Sequence, residues 1–562
     1  MKSWFRSRNL TVALAIAYVI IMMIPNTILA YTEPYGEWSK AVSVILPLGF
    51  YMLWSVLFRR SGVTIWLSFP FIFFGAFQIV LLYLFGDSII ACDMFTNLLT
   101  TNPGEAGELL ASIWPSVLIV CFIYIPLLWR ATVEIRNKRA IPRKFAKPFG
   151  VCGALLLLSG VLMLIPARMT KVRDESVLKN EVFPISVLYN LKLSISEFFK
   201  MKNFESTSQE FIYEASRAKH LSDKREIYVF VIGEAARAAS WQLYGSERET
   251  TPKLAALTDL VLYKNMLTQS NTTHKSVPMI LSSIDTYQHD ELFLRKGLPQ
   301  IFNEAGFSTW FISNQAPQSA MVDKLAADSQ NILYMDNPHF DMQMLEAMKS
   351  VVEQDRDNDL FFILHSYGSH FSYHQRYPRE FAKYMPDDDV SITHSNIEMI
   401  RNAYDNSTLY TDHFLDSLIG YLRGLEEDCT AMFYCSDHGE DLLDDDRDRF
   451  LHASPTVTYY QLHVASLAWF SENYRESYER KYEAALANTM APATTRSCFH
   501  TVADMASILS PYLDTELSLC SPSFDYNRTR YYLNDHNQAE RFYNMGLVER
   551  DLEIFRKEGI EL

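Results

Sequence analysis

The stretch Met432-Phe433-Tyr434-Cys435-Ser436-Asp437-His438-Gly439-Glu440 decides how the C-terminal part of this chain folds. An apolar run stops at a carboxylate and an imidazole, and a glycine follows them. This pattern predicts a buried strand whose C-terminal end delivers two metal ligands into a loop. Asp437 and His438 together suit Zn²⁺ or a similar divalent ion. In open α/β sheets, ligands bind outside the carboxyl ends of the strands.

A second stretch has the same form. Ile227-Tyr228-Val229-Phe230-Val231-Ile232 predicts a strand, and Gly233-Glu234 follows it. Glu234 is therefore expected as a third ligand at the same sheet edge. A lone Asp437 is more often a solvated carboxylate than a ligand, but two strands that end in ligand residues favour a metal site.

Strand patterns alternate with helical patterns along the C-terminal two thirds of the chain. The strands are expected at residues 227–232, 309–313, 360–365, 431–435 and 466–470, with helical stretches such as 391–423 between them. This alternation predicts an α/β domain with a mainly parallel sheet and helices on both faces.

Charge and cysteine spacing argue against a nucleic-acid partner and against a cysteine zinc site. The 562-residue chain carries a net charge of −15, which argues against a nucleic-acid partner. Its seven cysteines include no CxxC pair, so a cysteine zinc site is not expected. Cys498 and Cys520 either form a disulfide or remain two free thiols, and the sequence leaves both open.

Five apolar segments in the first third are each close to the length that spans a bilayer. They cover residues 10–30, 39–58, 64–85, 109–129 and 149–167. The first segment could be a cleaved signal peptide, but its end is a poor cleavage site, so it is interpreted as an anchor. We therefore divide the chain into a membrane domain of five helices at 1–167, a membrane-surface connector at 168–224 and a catalytic α/β domain at 225–562.

Lysine and arginine counts predict the orientation. Basic residues precede the first span and fill the loops after the second and fourth spans, whereas the loops at 31–38 and 86–108 contain neither Lys nor Arg. The N-terminus is then cytoplasmic, and everything after residue 167 lies outside. In a Gram-negative cell this makes a multi-pass inner-membrane protein with a periplasmic catalytic domain.

Two segments near the membrane surface have open interpretations. Residues 182–204 mix apolar residues with lysines, which fits either an amphipathic helix on the membrane or an ordinary packed linker. Asn97, Thr101 and Glu105 are spaced four apart, so a helix would place them on one face. They form either a solvated face or a site for a lipid headgroup.

Thr273 lies in a polar turn, residues 271–276, that runs into an apolar segment. It is therefore expected near a helix N-terminus, where Thr and Asn are common caps. The functional alternative is a nucleophile whose alkoxide is stabilised by a metal, at a helix start that favours an anionic phosphate.

Histidines follow strand ends at two places. His370 and His452 could bind substrate phosphate, protonate a leaving group or hold a second metal. His365 ends an apolar run and is expected to be a buried structural residue.

With these residues together, the chain resembles the phosphoethanolamine transferases of Gram-negative envelopes, which include lipid A modifying enzymes and mobile colistin resistance proteins. The catalytic part resembles the alkaline phosphatase and sulfatase superfamily. The motifs that carry this resemblance are Val231-Ile232-Gly233-Glu234-Ala235-Ala236-Arg237, Thr273 with Pro278, Gly368-Ser369-His370, Ser436-Asp437-His438-Gly439-Glu440 and Leu451-His452. Two departures are Ala235, where the family has Thr or Ser, and Gln269 with Met279, where well-known members carry cysteines.

The resemblance implies a reaction and a set of roles. Zn²⁺ would be held by Glu234, Thr273, Asp437 and His438. Thr273 would attack phosphatidylethanolamine to give a phosphoryl-threonine intermediate, and a glycolipid acceptor, lipid A or the lipopolysaccharide core, would then take the phosphoethanolamine. The residues implied to bind substrate are His370, His452, Asn97, Thr101 and Glu105, of which the two histidines would also be catalytic. We expect a monomer whose partners are membrane lipids.

Two other classes of function remain to be weighed. A related phosphoglycerol transferase or a membrane-anchored sulfatase-like hydrolase is the first, although sulfatases need a modified Cys or Ser where this chain has Thr273. A membrane sensor with a degenerate domain is the second. It would have lost at least one metal ligand, whereas the full predicted set is retained: Glu234, Thr273, Asp437 and His438.

Overall fold

The computed structural model describes residues 2–33, 35–85, 89–100, 103–169, 176–218, 222–317, 320–335, 340–388, 390, 394–447, 449–454 and 456–562. Side chains are described for all of these except 2–8, 84–85, 97–100, 103–113 and 394. The chain divides into two compact units, residues 1–96, 103–196 and 447–449 in one and residues 97–102, 197–446 and 450–562 in the other.

The first unit is helical. Its helices are α1 (Lys2–Thr32), α2 (Glu37–Leu57), α3 (Ser61–Leu67), α4 (Phe69–Phe85), α5 (Cys92–Thr100), α6 (Pro103–Arg136), α7 (Arg143–Met169) and α8 (Val177–Asn180), and α9 (Ile185–Lys202) has residues in both units. Among the described residues, four stretches are long and apolar enough to cross a membrane: Asn9–Thr32, Glu37–Leu57, Trp114–Arg136 and Arg143–Met169.

The third predicted span is not one straight helix. It is divided into α3 and α4, whose axes differ by 62°, and it adds a fifth crossing only if the bent pair counts as one span. The break falls at Ser68, two residues before Pro70. Proline has no N–H for the preceding turn and disfavours helical geometry in the residue before it, so the helix bends at this point.

Small residues allow α2 and α7 to pack closely. A Cβ atom on Gly49 would lie 2.3 Å from the backbone nitrogen of Leu157, and one on Gly160 would lie 2.6 Å from the Cβ of Leu46. Glycine at such positions lets two helix backbones approach, which is a common means of association between apolar helices.

The second unit is an α/β domain. Its helices are α10 (Phe204–Thr207), α11 (Pro252–Ala255), α12 (Thr273–Ile280), α13 (Leu298–Glu304), α14 (Met321–Ala326), α15 (Met342–Gln354), α16 (Ile397–Arg423), α17 (Tyr459–Leu462), α18 (Glu472–Ser477), α19 (Glu479–Ala487), α20 (Ser497–Met505) and α21 (Glu549–Lys557). Its strands are β1 (Ser216–Arg217), β2 (Glu226–Gly233), β3 (Leu260–Leu262), β4 (Met266–Leu267), β5 (Ser308–Ser313), β6 (Asn331–Tyr334), β7 (Leu360–His365), β8 (Cys429–Ser436), β9 (Asp441–Leu442), β10 (Phe450–Leu451), β11 (Ser466–Phe470), β12 (Ala493–Thr494), β13 (Ile508–Leu509), β14 (Tyr531–Leu533) and β15 (Ala539–Arg541).

Seven strands form the main sheet, in the order β3-β11-β8-β2-β7-β5-β6. The five strands from β8 to β6 are parallel, whereas β11 runs antiparallel to both β8 and β3. Each of the five predicted strands is present in this sheet. The edge strands β3 and β6 were not predicted, because short, partly exposed strands carry little apolar signal.

The sheet has an apolar core on each face. Along β2, Tyr228, Phe230 and Ile232 join one core, and the alternate residues Val229 and Val231 join the other. All eight residues of β2 are buried, as expected for a central strand covered by helices on both faces. The predicted architecture, apolar helices followed by an α/β domain with a mainly parallel sheet, is therefore confirmed. The helix predicted at 391–423 is present as α16, Ile397–Arg423.

Candidate active site

The proposed ligands lie at the carboxyl ends of two neighbouring parallel strands. Gly233 at the end of β2 is paired with Ser436 at the end of β8. Glu234 therefore follows one strand, and Asp437 and His438 follow the other, at the same edge of the sheet. This is the edge at which α/β proteins bind their ligands.

Thr273 is the first residue of α12, and its side chain meets these ligands. Its Oγ1 lies 3.1 Å from Nε2 of His438 and 3.4 Å from each carboxylate oxygen of Glu234. The same Nε2 lies 3.4 Å from Oε1 of Glu234 and 3.3 Å from Oδ2 of Asp437. The structure thus brings the four predicted residues together around one point.

The donor set fits a divalent cation. Nδ1 of His438 lies 2.9 Å from the carbonyl oxygen of Gly439, to which a protonated Nδ1 donates, so the lone pair of Nε2 faces the carboxylates. Oδ2 of Asp437 is fully buried and has no hydrogen-bond partner in the described part of the chain. An orphaned carboxylate oxygen beside a neutral imidazole and a second carboxylate is the arrangement that Zn²⁺ prefers.

The pKa values of the ligand residues also favour a bound cation. Burial, reinforced by the charge of Asp437, raises the pKa of Glu234 well above its usual range, and burial also raises the pKa of Asp437. Burial lowers the pKa of His438 to about 4, so its imidazole is neutral. Burial thus disfavours the ionised forms of these carboxylates, and the charge of a bound cation would favour them.

Hydrogen bonds hold Asp437 in place from both sides. Its Oδ1 accepts from the backbone nitrogens of Ala235 at 3.1 Å and of His438 at 2.7 Å. Its backbone carbonyl accepts from the hydroxyl groups of Thr268 and Ser276, each at 2.5 Å. Thr268 precedes the Thr273 turn and Ser276 ends it, so hydrogen bonds join this turn to the loop that carries Asp437.

A second cluster adjoins the first. Nδ1 of His452 lies 2.7 Å from Oε2 of Glu440, and the hydroxyl of Tyr373 donates to the other oxygen of Glu440 at 2.6 Å. The ring centroids of His452 and His438 lie 4.0 Å apart. Burial raises the pKa of Glu440 to about 8 and lowers the pKa of His452 to about 4. One ligand atom each from His438, Glu440 and His452 could also hold an ion.

Glu440 and Tyr373 had no predicted role. Glu440 directly follows the Asp437-His438-Gly439 motif, so its position was a signal that could have been used. Tyr373 has no such signal, because its contact with Glu440 joins residues that are distant in the chain.

The other predicted histidines have different surroundings. Nδ1 of His370 is buried with no hydrogen-bond partner among the described residues. Burial, with the charge of Arg376, holds the pKa of His370 well below its usual range, and His452 contributes in the same direction. His365 is buried as predicted, and its Nδ1 lies 3.2 Å from the hydroxyl oxygen of Ser313.

Asn271 joins the Thr273 turn to the His452 loop. Its side-chain amide donates to the carbonyl oxygen of Ser454 at 2.8 Å and to the side chain of Gln461 at 2.7 Å. Its side-chain oxygen accepts from the hydroxyl of Tyr532 at 2.7 Å. This buried network fixes the entry to α12 before Thr273.

The structure does not fully describe three residues that were predicted to bind substrate. Thr101 is not among the described residues, and the side chains of Asn97 and Glu105 are not described. Where the structure does describe the cysteines, Cys498 and Cys520 are buried free thiols rather than partners in a disulfide.

Two family models match the chain. A model described as "Sulfatase" matches residues 226–508, which is half of the chain and covers the sheet with the Glu234 and Asp437 loops. A model described as "Phosphoethanolamine transferase EptA/EptB" matches residues 87–197.

Individual relatives agree with these models. The chain is 25% identical over 492 residues to "Kdo(2)-lipid A phosphoethanolamine 7''-transferase" of Escherichia coli K12, covering 80% of this chain and 83% of the relative. The integral membrane lipooligosaccharide phosphoethanolamine transferase A (EptA) of Neisseria meningitidis has a similar fold, with a TM-score of 0.69, 21% identity and coverage of 90% of this chain and 98% of that one. The periplasmic domain of E. coli EptC in complex with Zn has a TM-score of 0.54 at 23% identity, covering 60% of this chain and 98% of that one.

Proposed function

Because the chain belongs to the sulfatase family, and within it to the phosphoethanolamine transferases, we propose that it transfers phosphoethanolamine from phosphatidylethanolamine to an envelope glycolipid, lipid A or the lipopolysaccharide core. One observation carries this proposal. The hydroxyl of Thr273 lies at a helix start, 3.1 Å from Nε2 of His438 and within 3.4 Å of Glu234. A transferase of this kind needs a nucleophile held beside a cation site.

The proposed cofactor is Zn²⁺, held by Glu234, Asp437, His438 and Thr273. When bound, zinc would supply a Lewis acid that lowers the pKa of a ligated hydroxyl. The support is the donor set, the orphaned oxygen of Asp437 and the zinc complex of a protein with the same fold. The protein itself supplies the orientation, because hydrogen bonds fix both Asp437 and the tautomer of His438.

In the first step Oγ1 of Thr273 loses its proton and forms a bond to the phosphorus of the donor, and the bond from phosphorus to the diacylglycerol oxygen breaks. The start of α12 favours the negative charge of the phosphoryl group. The neutral imidazole of His370 or His452 takes up a proton as Thr273 loses its own and passes one to the departing oxygen, and His452 is oriented for this by its hydrogen bond to Glu440. The acceptor oxygen then attacks the phosphoryl-threonine and releases Thr273.

The remaining parts of the proposal follow from the sequence. Asn97, Thr101 and Glu105 are proposed to bind the donor headgroup, with Glu105 paired to its ammonium. The apolar helices are proposed to span the inner membrane of a Gram-negative cell and the catalytic domain to lie in the periplasm. Lipid-borne substrates explain why a catalytic domain is joined to membrane helices. We propose that the protein acts as a monomer.

Mass spectrometry of envelope lipids tests this function. Cells that express the chain should contain glycolipid with an added phosphoethanolamine group, and cells that express Thr273→Ala should not. An added phosphoglycerol group would identify the related phosphoglycerol transferase instead. Unmodified glycolipid with the wild-type protein present in the membrane would refute the transfer.

A further inference from the structure

Gln315 reaches Glu234 from two strands away in the sheet. It follows β5, Glu234 follows β2, and β7 lies between these strands. The side chain of Gln315 is only 5% exposed. Its Nε2 donates to Oε2 of Glu234 at 3.1 Å and to the carbonyl oxygen of Ser366, which follows β7, at 2.8 Å. One amide therefore joins the ends of three strands at the candidate active site.

The orientation of this amide follows from its neighbours. Both partners, a carboxylate and a backbone carbonyl, are acceptors, so the amide nitrogen and not the amide oxygen must face them. The backbone of Gln315 is also held, because its nitrogen donates to the hydroxyl oxygen of Ser313 at 3.1 Å and its carbonyl accepts from that hydroxyl at 2.9 Å. The donor is thus aimed at Glu234 before any ligand binds.

The hydrogen bond distinguishes the two oxygens of Glu234. Oε2 receives the amide of Gln315, whereas Oε1 lies 3.4 Å from Nε2 of His438. A half-turn about its last bond would merely exchange the two equivalent oxygens, but a quarter-turn would take both out of reach of the amide. The contact with Gln315 therefore fixes the plane of the carboxylate, with one oxygen toward the amide and the other toward His438.

We propose that Gln315 is a positioning residue for the metal site. It orients the Glu234 carboxylate through Oε2 and presents Oε1 to the cation, and this role rests on the proposed function. The amide is neutral, so it holds the carboxylate at 3.1 Å without adding a charge that would repel a cation.

Zinc affinity of the purified full-length chain tests the role. Gln315→Met keeps the length of the side chain and removes the donor. Loss of a hydrogen bond to a metal ligand typically costs about 10- to 100-fold in metal affinity, so we expect a decrease of that size in competition with a zinc chelator. Without metal, the melting temperature of the variant should stay close to that of the metal-free wild type.

Gln300→Met is the matched control. The amide of Gln300 also donates to a carboxylate, Oε1 of Glu304 at 3.0 Å. Glu304 is not a proposed ligand, so zinc affinity should stay within about 3-fold of the wild type, against the larger loss in Gln315→Met. Gln315→Asn, whose amide is one methylene too short to reach Glu234, should reproduce the loss and replaces Gln315→Met if that variant does not fold.

The outcomes separate this inference from the proposed function. Unchanged zinc affinity in the Gln315 variants would overturn the positioning role and leave the transferase intact. An equal loss in Gln300→Met would also overturn it, because general loosening of the domain would then explain both. A wild-type protein that binds no zinc would overturn both the metal site and the role of Gln315.

Discussion

At Thr273, one hydroxyl group is held between an imidazole from the end of β8 and a carboxylate from the end of β2. Its neighbour Thr272 has a different environment. Thr272 is the N-cap of α12, its side chain makes no capping hydrogen bond, and its hydroxyl lies 3.3 Å from that of Ser270. Two adjacent threonines thus differ in whether they face the proposed metal site.

Thr273→Ala should abolish transfer while the protein still folds and inserts. Removing a nucleophile removes the reaction path, so we expect the rate to fall on the order of 10³-fold or more. Incubation with donor and no acceptor should add one phosphoethanolamine mass to the wild-type peptide that contains Thr273. Thr272→Ala should cost much less, because successive helical residues point about 100° apart. Activity within a few-fold of the wild type in Thr273→Ala would rule out this intermediate.

Removal of metal should destabilise the protein reversibly. Burial and the neighbouring Asp437 oppose the ionisation of Glu234, which a bound cation would favour, and zinc at about 100 times its Kd would add about 2.7 kcal/mol to the free energy of unfolding. A chelator should therefore lower the melting temperature by a few degrees and stop transfer, and added Zn²⁺ should restore both. In Glu234→Ala the melting temperature should not respond to zinc. A wild-type melting temperature that is insensitive to chelator would contradict this.

At the scale of elements, the loop after β8 is packed too tightly for a side chain at Gly439. A Cβ atom there would lie 2.0 Å from the carbonyl oxygen of Tyr460. The backbone nitrogen of Gly439 donates to the carbonyl of Gln461 at 2.9 Å. The glycine therefore lets the loop that carries Asp437 and His438 approach the segment at the start of α17.

Gly439→Ala should move this loop. We expect a loss of about 1–3 kcal/mol in the free energy of unfolding, as for other overpacked sites, together with weaker zinc binding. Gly420→Ala is the control, because Gly420 is an exposed residue of α16 with open space around its Cβ position. Alanine there should stabilise the protein by about 0.5–1 kcal/mol. Denaturant unfolding and zinc content of both variants measure these effects, and a fully stable, zinc-loaded Gly439→Ala would contradict the packing argument.

At the scale of the whole molecule, the side on which the catalytic domain lies depends on the bent pair α3 and α4. The four long apolar helices alone would return the chain to its starting side, and the bent pair would supply a fifth crossing if it counts as one span. The basic residues Arg59 and Arg60 directly precede α3, which predicts that this end lies in the cytoplasm.

Reporter fusions measure this topology. A reporter that is active only in the periplasm should be active when fused after Leu562 and inactive when fused after Arg60. Because membrane topology follows the basic loops, each fusion should keep the orientation of the unmodified protein. An inactive fusion after Leu562, with the chain present in the membrane, would show that the bent pair does not cross.

The sequence by itself determined the parts of this protein that depend on neighbouring residues. Runs of apolar residues predict the membrane helices, and short apolar runs that end in Glu234 or in Asp437 and His438 predict strands with ligands at their ends. Both features are local, since side-chain periodicity and apolar length are properties of a few consecutive residues. The two thirds of the chain after these helices could therefore be interpreted as one α/β domain.

Only the tertiary structure decided which distant residues meet. Strand order brings Gln315 to Glu234 across β7, and the packing of separate loops brings Tyr373 to Glu440. No periodicity in the sequence encodes these contacts, because they depend on the order of the strands and on the register between them. The sequence predicted candidate ligands at the strand ends, whereas the three-dimensional arrangement placed the hydroxyl of Thr273 beside them and supplied the residue that orients Glu234.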